Sequence, residues 1–352
     1  MKRIFTLSLT WILALGPIIP VEPVWAYGQP VGLPLSPGAS ALLLDAATQR
    51  VIYAKAPHAR RAPASTTKVI TALVILERVS LDQVIRIPNW VGSIEPSKAN
   101  LRPGERYRVR DLLHATLISS ANDAAEVLAV SPAGSRAQFA QWMNTKARSI
   151  GCRDSHFTNA SGLPSGYQYS SVYDLALIME RARRNPFMVN SLGRKYHVIQ
   201  SLEGRKILLR NHNKLLWRSE RSVIGKTGYT RKGQHCFVGR IHWGGRDILV
   251  SLLGSHRLWK DLKVLLDYQF GVAFYKGYKN RKLWSQPATR EIQEALKRAG
   301  YATGTVDGKF GPQTVRAVEL FQKKQGLTPD GIVDARTCNL LTRYSLSKSY
   351  CR

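Results

Sequence analysis

Strand-forming segments stand at both ends of the long first part of this chain, with helix-forming segments between them. "ALLLDAATQRVIYAK" (41–55) reads as two strands around a turn, Asp45 to Gln49 forming the polar separation between apolar arms. Far downstream, "HCFVGRIHW" and "RDILVSLLG" alternate along their length and are joined by Gly244-Gly245. Between these hairpins, the apolar run after Lys68 is too long for a typical strand and holds neither Gly nor Pro, so it predicts a helix. That helix is apolar on nearly every face and should be buried all round. Residues 105–150 carry a helical period, clearest in "RDLLHATLISSANDAAEVLAV", and "KDLKVLLDYQF" predicts a closing helix. Strands at the two ends with helices between them predict one sheet assembled from distant chain segments.

At 352 residues the chain exceeds one ordinary core, which predicts two domains. Residues 271–285, "GVAFYKGYKNRKLWS", are aromatic and basic without periodicity and read as a linker. Beyond it lies a half-repeat: "VDGKFGPQT" (306–314) and "PDGIVDART" (329–337) share Asp-Gly with a Thr six residues after the Gly. A short amphipathic helix precedes each half and another follows Thr337, giving a compact three-helix module over 286–342 and a tail at 343–352. Asp307 and Asp330 read as turn formers.

The first 26 residues read as a signal peptide: Lys2 and Arg3, an apolar segment from Ile4 to Gly16, then prolines and the small-residue site Val24-Trp25-Ala26. The apolar segment falls short of the roughly 20 residues of a spanning helix, so an exported chain with a domain over 27–270 is expected. A net charge of +29 would ordinarily raise nucleic acid as a partner. Export, and the lack of a compact basic tract, argue against it and favour anionic envelope polymers or lipid headgroups. The charge belongs to the large domain, where residues 27–285 hold 39 Lys and Arg against 16 Asp and Glu, while residues 286–342 hold 8 against 6. The four cysteines form no metal pattern; Cys152 and Cys236 read as buried hydrophobes, and Cys338 and Cys351 as a candidate pair.

Three short fragments carry candidate chemistry. In "PASTTK", Ser65 and Lys68 stand three residues apart, one helical turn, so the amine can reach the hydroxyl; taken alone, Ser65 reads more readily as a helix cap. In "SSANDAAE", Ser120 and Asn122 can face one cleft if they sit on a tight turn. In "IGKTGYT", strand alternation puts Lys226 and Gly228 on one side, with Gly228 leaving room for a substrate against the strand.

Ser-x-x-Lys, Ser-x-Asn and Lys-Thr-Gly in this order form a signature of penicillin-binding proteins and class A β-lactamases. From about Ala41 to Phe270 the chain resembles the low-molecular-weight serine D-alanyl-D-alanine carboxypeptidases. The resemblance also rests on "HFTNASGLP", "YSSVYDLALIM" and "NHNKLLW". It implies an α+β fold of the penicillin-binding protein/β-lactamase (transpeptidase) type, a central antiparallel sheet flanked by helices, and removal of the terminal D-alanine from peptidoglycan stem peptides through an acyl-enzyme. On that resemblance Ser65 is the nucleophile, Lys68 the general base, Ser120 a proton relay, and Asn122 a holder of substrate or of Lys68. Lys226 and Thr227 bind the terminal carboxylate beside Gly228, and the backbone N–H groups of Ser65 and Tyr229 form the oxyanion hole. The family needs no metal or organic cofactor and binds β-lactam antibiotics covalently. For Lys68 to act as a base its pKa must fall, and burial together with the second cation at Lys226 both push that way. Residues 287 to about 342 resemble three-helix peptidoglycan-binding domains, which implies attachment to wall glycan.

Three rivals remain at this level. A β-lactamase would carry a deacylating Glu-x-x-Leu-Asn between the second and third motifs, and residues 123–225 hold none. A D,D-endopeptidase would use the same site on cross-linked peptides. A non-catalytic wall-binding protein would not be expected to keep every motif residue.

Overall fold

The computed structural model describes residues 38–218, 222–243, 245–270, 286–308, 310, 312–327, 333 and 335–351. The predicted signal peptide, the linker at 271–285, Gly244 of the expected turn and Asp330 lie outside them.

Two hairpins remote in sequence do meet in one sheet. Strands β1 (Ser40–Asp45) and β2 (Val51–Lys55) pair antiparallel, as do β7 (Ser222–Thr230), β8 (Gln234–Trp243) and β9 (Arg246–Ser255). Strand β1 then pairs with β9, so the order is β2-β1-β9-β8-β7, with β7 on the edge. The run Leu42-Leu43-Leu44 is apolar throughout because both faces of this sheet are covered. Leu42 and Leu44 enter one core and Ala41 and Leu43 another, the period-two alternation splitting a continuous run between them. Helix α8 (Leu258–Phe270) covers the second core with Leu258, Leu262, Leu265 and Leu266. The result is three layers: helices, sheet, helix.

The first core is helical. Helix α1 (Lys68–Arg78) is buried from Lys68 through Ile75, in accord with its apolar character on all faces. It packs on α2 (Val109–Ile118), α3 (Asn122–Ala133), α4 (Arg136–Ile150) and α5 (Val172–Ala182). The long helical pattern over 105–150 is thus three helices. The first is interrupted after Ile118 by a turn in which Ser120 takes φ +61°. Two further hairpins escaped the sequence reading: β3 (Val84–Arg86) with β4 (Arg106–Arg108), and β5 (Tyr196–Gln200) with β6 (Lys206–Arg210). The first has only three residues per strand, too few to show a period. The second leaves Tyr196, Val198 and Leu208 exposed, so its outer face lacks the polar half of the expected alternation. Helices α6 (Pro186–Gly193) and α7 (Leu215–Arg218) complete this part.

The C-terminal residues form α9 (Gln286–Arg298), α10 (Pro312–Lys324) and α11 (Ala335–Leu341) around Ile292, Leu296, Val318, Phe321 and Leu341. The half-repeat has a physical basis. Gln293 Nε2 donates to Thr314 Oγ1 at 3.1 Å and Gln322 Nε2 donates to Thr337 Oγ1 at 3.1 Å, each pair tying one helix to the next. Gln293 also closes the first Asp-Gly turn, donating to Asp307 Oδ1 and accepting from Gly308 N. Cys338 is disulfide-bonded while Cys152 and Cys236 are free and buried; the side chain of Cys351 lies outside the described residues. Among the described residues no helix is long and apolar enough to cross a membrane.

Candidate active site

The three fragments converge on one cleft of about 360 Å³. Ser65, Ser120, Asn122, Thr227, Gly228 and Tyr229 line it, and Lys68 and Lys226 lie beneath, almost completely buried. Every residue singled out from the sequence is therefore brought to one place.

Ser65 does not cap a helix. It sits in the 3-10 turn Ala64–Thr67, which runs into α1, and the residue in the cap position is Thr67, whose side chain makes no capping bond. The turn is entered through Ala64 at φ +48°, a left-handed conformation that costs a non-glycine residue energy and recurs at functional sites. Lys68 is the first residue of α1, and its Nζ lies 2.9 Å from Ser65 Oγ.

The surroundings of Lys68 constrain its protonation. Its Nζ donates to Asn122 Oδ1 at 2.6 Å and to the carbonyl of Ser161 at 2.5 Å. Asn122 Nδ2 in turn donates to the carbonyl of Glu95, which fixes the orientation of the amide and makes Oδ1 the atom facing Lys68. Both partners are pure acceptors: an ammonium would donate to them and to Ser65 Oγ, whereas an uncharged amine spends its two N–H bonds on them and keeps its lone pair for the Ser65 hydroxyl. Burial, and then the neighbouring charge of Lys226, hold the Lys68 pKa well below the ordinary lysine value, while Glu126 and Asp123 oppose this. The expected causes are thus both present, burial being the larger.

Lys226 Nζ lies 2.8 Å from Ser120 Oγ and donates to the carbonyl of Thr227 at 2.9 Å. Burial lowers its pKa to about 7. Ser120 is reached because the turn between α2 and α3 projects it into the cleft, and this turn is anchored. Asn122 N donates to the carbonyl of Ser97, and Asp123 accepts from Ala99 N and Leu101 N. Asp123, fully buried, is therefore a structural member of the second fragment that spacing alone did not single out.

Two glycines allow the close approach. A Cβ on Gly228 would stand 2.8 Å from Ser65 N and 3.2 Å from Thr66 N, so β7 lies directly against the Ser65 turn. A Cβ on Gly162, at φ +83°, would stand 1.9 Å from the carbonyl oxygen of Ala64, which only glycine permits. The Ser161 carbonyl beside it is a ligand of Lys68 that sequence reasoning missed. The only available signal was the turn-forming "NASG" lying in a stretch otherwise without an assigned role. His212 and Lys214, from "NHNKLLW", also line the cleft. His212 is exposed as a residue, yet its ring is desolvated by the protein around it and faces Lys226, Lys68 and Arg210, which together lower its pKa to about 4.

Residues 34–256 match the family model of the D-alanyl-D-alanine carboxypeptidases. The chain belongs to the D-alanyl-D-alanine carboxypeptidase family. A second family model, a peptidoglycan binding domain, matches residues 285–341. The carboxypeptidase DacB2 of Mycobacterium tuberculosis is 30% identical over 255 residues, covering 69% of this chain and 87% of its own. A solved D-alanyl-D-alanine carboxypeptidase structure from the same organism superposes with a TM-score of 0.65 at 29% identity, covering 69% of this chain and 96% of that one. The Streptomyces K15 DD-transpeptidase gives a TM-score of 0.63 at 27% identity, covering 68% of this chain and 99% of that one. The expected α+β fold is thus that of the penicillin-binding proteins. The protein is a serine-type carboxypeptidase of this family, acting on peptidoglycan and hence outside the cytoplasm.

Proposed function

We propose that the cleft removes the terminal D-alanine of a peptidoglycan stem pentapeptide through an ester on Ser65. The supporting observation is Lys68 Nζ at 2.9 Å from Ser65 Oγ with both other partners acceptors. The uncharged amine takes the Ser65 proton as Oγ attacks the carbonyl of the penultimate D-alanine. The backbone N–H groups of Ser65 and Tyr229 receive the developing oxyanion. The C–N bond then breaks. Ser120, within hydrogen-bond reach of Lys226, passes a proton to the departing amine, and water releases the shortened peptide from Ser65. Lys226 and Thr227 hold the terminal carboxylate, while Asn122 keeps Lys68 in place. Strand β7 is an edge strand, so the substrate backbone lies along it as an added strand.

Penicillin follows the first half of this path and stays on Ser65. Glu126, Glu180 and Glu203 are absent from the residues lining the cleft, which favours slow deacylation. The chain is exported by residues 1–26 to the periplasm or the cell wall. There the three-helix module holds glycan, with domain bounds at 27–270 and 286–342. The excess positive charge of the large domain faces anionic envelope polymers.

Labelled benzylpenicillin tests the assignment: it should attach covalently to wild type and fail to attach to Ser65→Ala. Equal attachment to both would refute it. Incubation with purified sacculi separates carboxypeptidase from endopeptidase action, since free D-alanine supports the former and loss of dimeric muropeptides the latter.

A further inference from the structure

The segment from Asn211 to Leu215 alternates buried and exposed residues although it is not a strand. Asn211 and Asn213 point inward and are almost fully buried. Asn211 Nδ2 donates to the carbonyl of Arg194 at 2.9 Å, and its Oδ1 accepts from Asn213 N at 2.9 Å. Asn213 Oδ1 accepts from Leu215 N at 3.1 Å. The two asparagines fix the backbone and leave His212 and Lys214 to face the cleft. Lys214 stands with its Nζ 5.8 Å from the ring centroid of Trp259, another lining residue. Among the described residues it forms no ion pair, and none of the residues lining the cleft is acidic.

Lys214 differs in kind from the two buried lysines. Lys226 is 2% exposed and occupied by Ser120 and the Thr227 carbonyl, at the depth of Ser65. Lys214 is exposed, held on a braced loop against an indole face, and available to a charge arriving with substrate. A stem peptide ending in D-alanyl-D-alanine brings its terminal carboxylate to the inner cation. Upstream of the scissile bond it carries further carboxylates, on the γ-linked D-glutamate and, where the third residue is a diamino diacid, on that side chain.

We propose that Lys214 is a specificity-determining residue that binds a second substrate carboxylate, upstream of the scissile bond. This rests on the carboxypeptidase reading of the cleft. The substrate selected is a stem peptide with a free upstream carboxylate over one in which it is amidated or replaced by an amine.

The test uses L-Ala-γ-D-Glu-X-D-Ala-D-Ala with X diaminopimelate, and two partners, one amidated at the D-glutamate α-carboxylate and one at the free diaminopimelate carboxylate. D-Alanine release is followed at low ionic strength. One amidation should raise KM about fivefold with little change in kcat, the size expected of an exposed ion pair, and the arm that responds identifies the carboxylate. The difference should persist in Lys214→Arg, vanish in Lys214→Ala and invert in Lys214→Glu, an inversion that misfolding cannot produce. It should also shrink in 1 M salt, where screening is within about 3 Å. Equal turnover of all three peptides by wild type, or an amidation effect that survives in Lys214→Ala, overturns the proposal alone. No release of D-alanine from any of them by wild type overturns the carboxypeptidase reading and this proposal with it.

Discussion

Replacing Asn122 with aspartate changes one atom type and almost no volume, yet it places a carboxylate oxygen where the amide oxygen now meets Lys68. At an effective dielectric of about 20, opposite unit charges separated by the observed 2.6 Å attract by roughly 6 kcal/mol. The second carboxylate oxygen would face the Glu95 carbonyl, which the amide N–H now satisfies, and repulsion there offsets part of the gain. If about half survives, the charged amine is favoured by about 3 kcal/mol, on the order of a hundredfold. An amine held charged cannot take the Ser65 proton. The second-order rate of acylation by benzylpenicillin, followed by stopped-flow at pH 7, should therefore fall about a hundredfold in Asn122→Asp. It should then recover about tenfold per pH unit as the pH is raised. A loss of the same size that does not depend on pH would refute the reasoning, because it would mean that Asn122 acts by positioning substrate. Acylation within a few-fold of wild type would refute it more simply.

Gly228→Ala should slow acylation by about a hundredfold, since a Cβ 2.8 Å from Ser65 N forces β7 away from the Ser65 turn; a rate within threefold of wild type would show that the contact relaxes freely. Lys226 must be charged to hold a carboxylate, and its pKa of about 7 means that charge is lost as the pH rises through neutrality. The alkaline limb of kcat/KM for D-alanine release should accordingly begin near pH 7 in wild type and move upward in Lys226→Arg, whose charge persists, even if the absolute rate is lower. His114 is buried against His197, Arg194 and Arg110, and burial followed by these charges lowers its pKa to about 3. The unfolded chain therefore takes up this proton first, near pH 6.5, so the stability is fully present above that pH and is lost as the pH falls toward 3. Between pH 7 and pH 4.5, urea unfolding should show wild type losing roughly 2–3 kcal/mol more than His114→Gln; parallel losses in the two proteins would contradict this.

The fold was legible where burial leaves a period. The triple leucine of β1 and the all-round apolar α1 report their surroundings directly, because a sheet covered on both faces and a central helix admit few polar residues; β8 and β9, expected to alternate, are for the same reason buried continuously over 236–239 and 248–253. The β3–β4 and β5–β6 hairpins were not legible: one is too short, and the other exposes apolar side chains where alternation calls for polar ones. Ser65 was open to reading as a cap because a hydroxyl before an apolar run is the same letter for a cap and a nucleophile. The three-motif signature favoured the nucleophile, and the 3-10 turn, which leaves Thr67 in the cap position, excludes the cap.

By itself the sequence determined the pairing of Ser65 with Lys68, since Ser-x-x-Lys lies within one turn and its geometry is local. The remaining links, from Lys68 to Asn122 and to Ser161 and from Lys226 to Ser120, span 54, 93 and 106 residues and exist only after the sheet has closed. Tertiary structure also decided the charge of the site. The same amine is protonated in water at neutral pH; here burial, and then a second cation, hold its pKa well below the ordinary lysine value. Desolvation is a property of a place in the folded chain, and no residue carries it in its name.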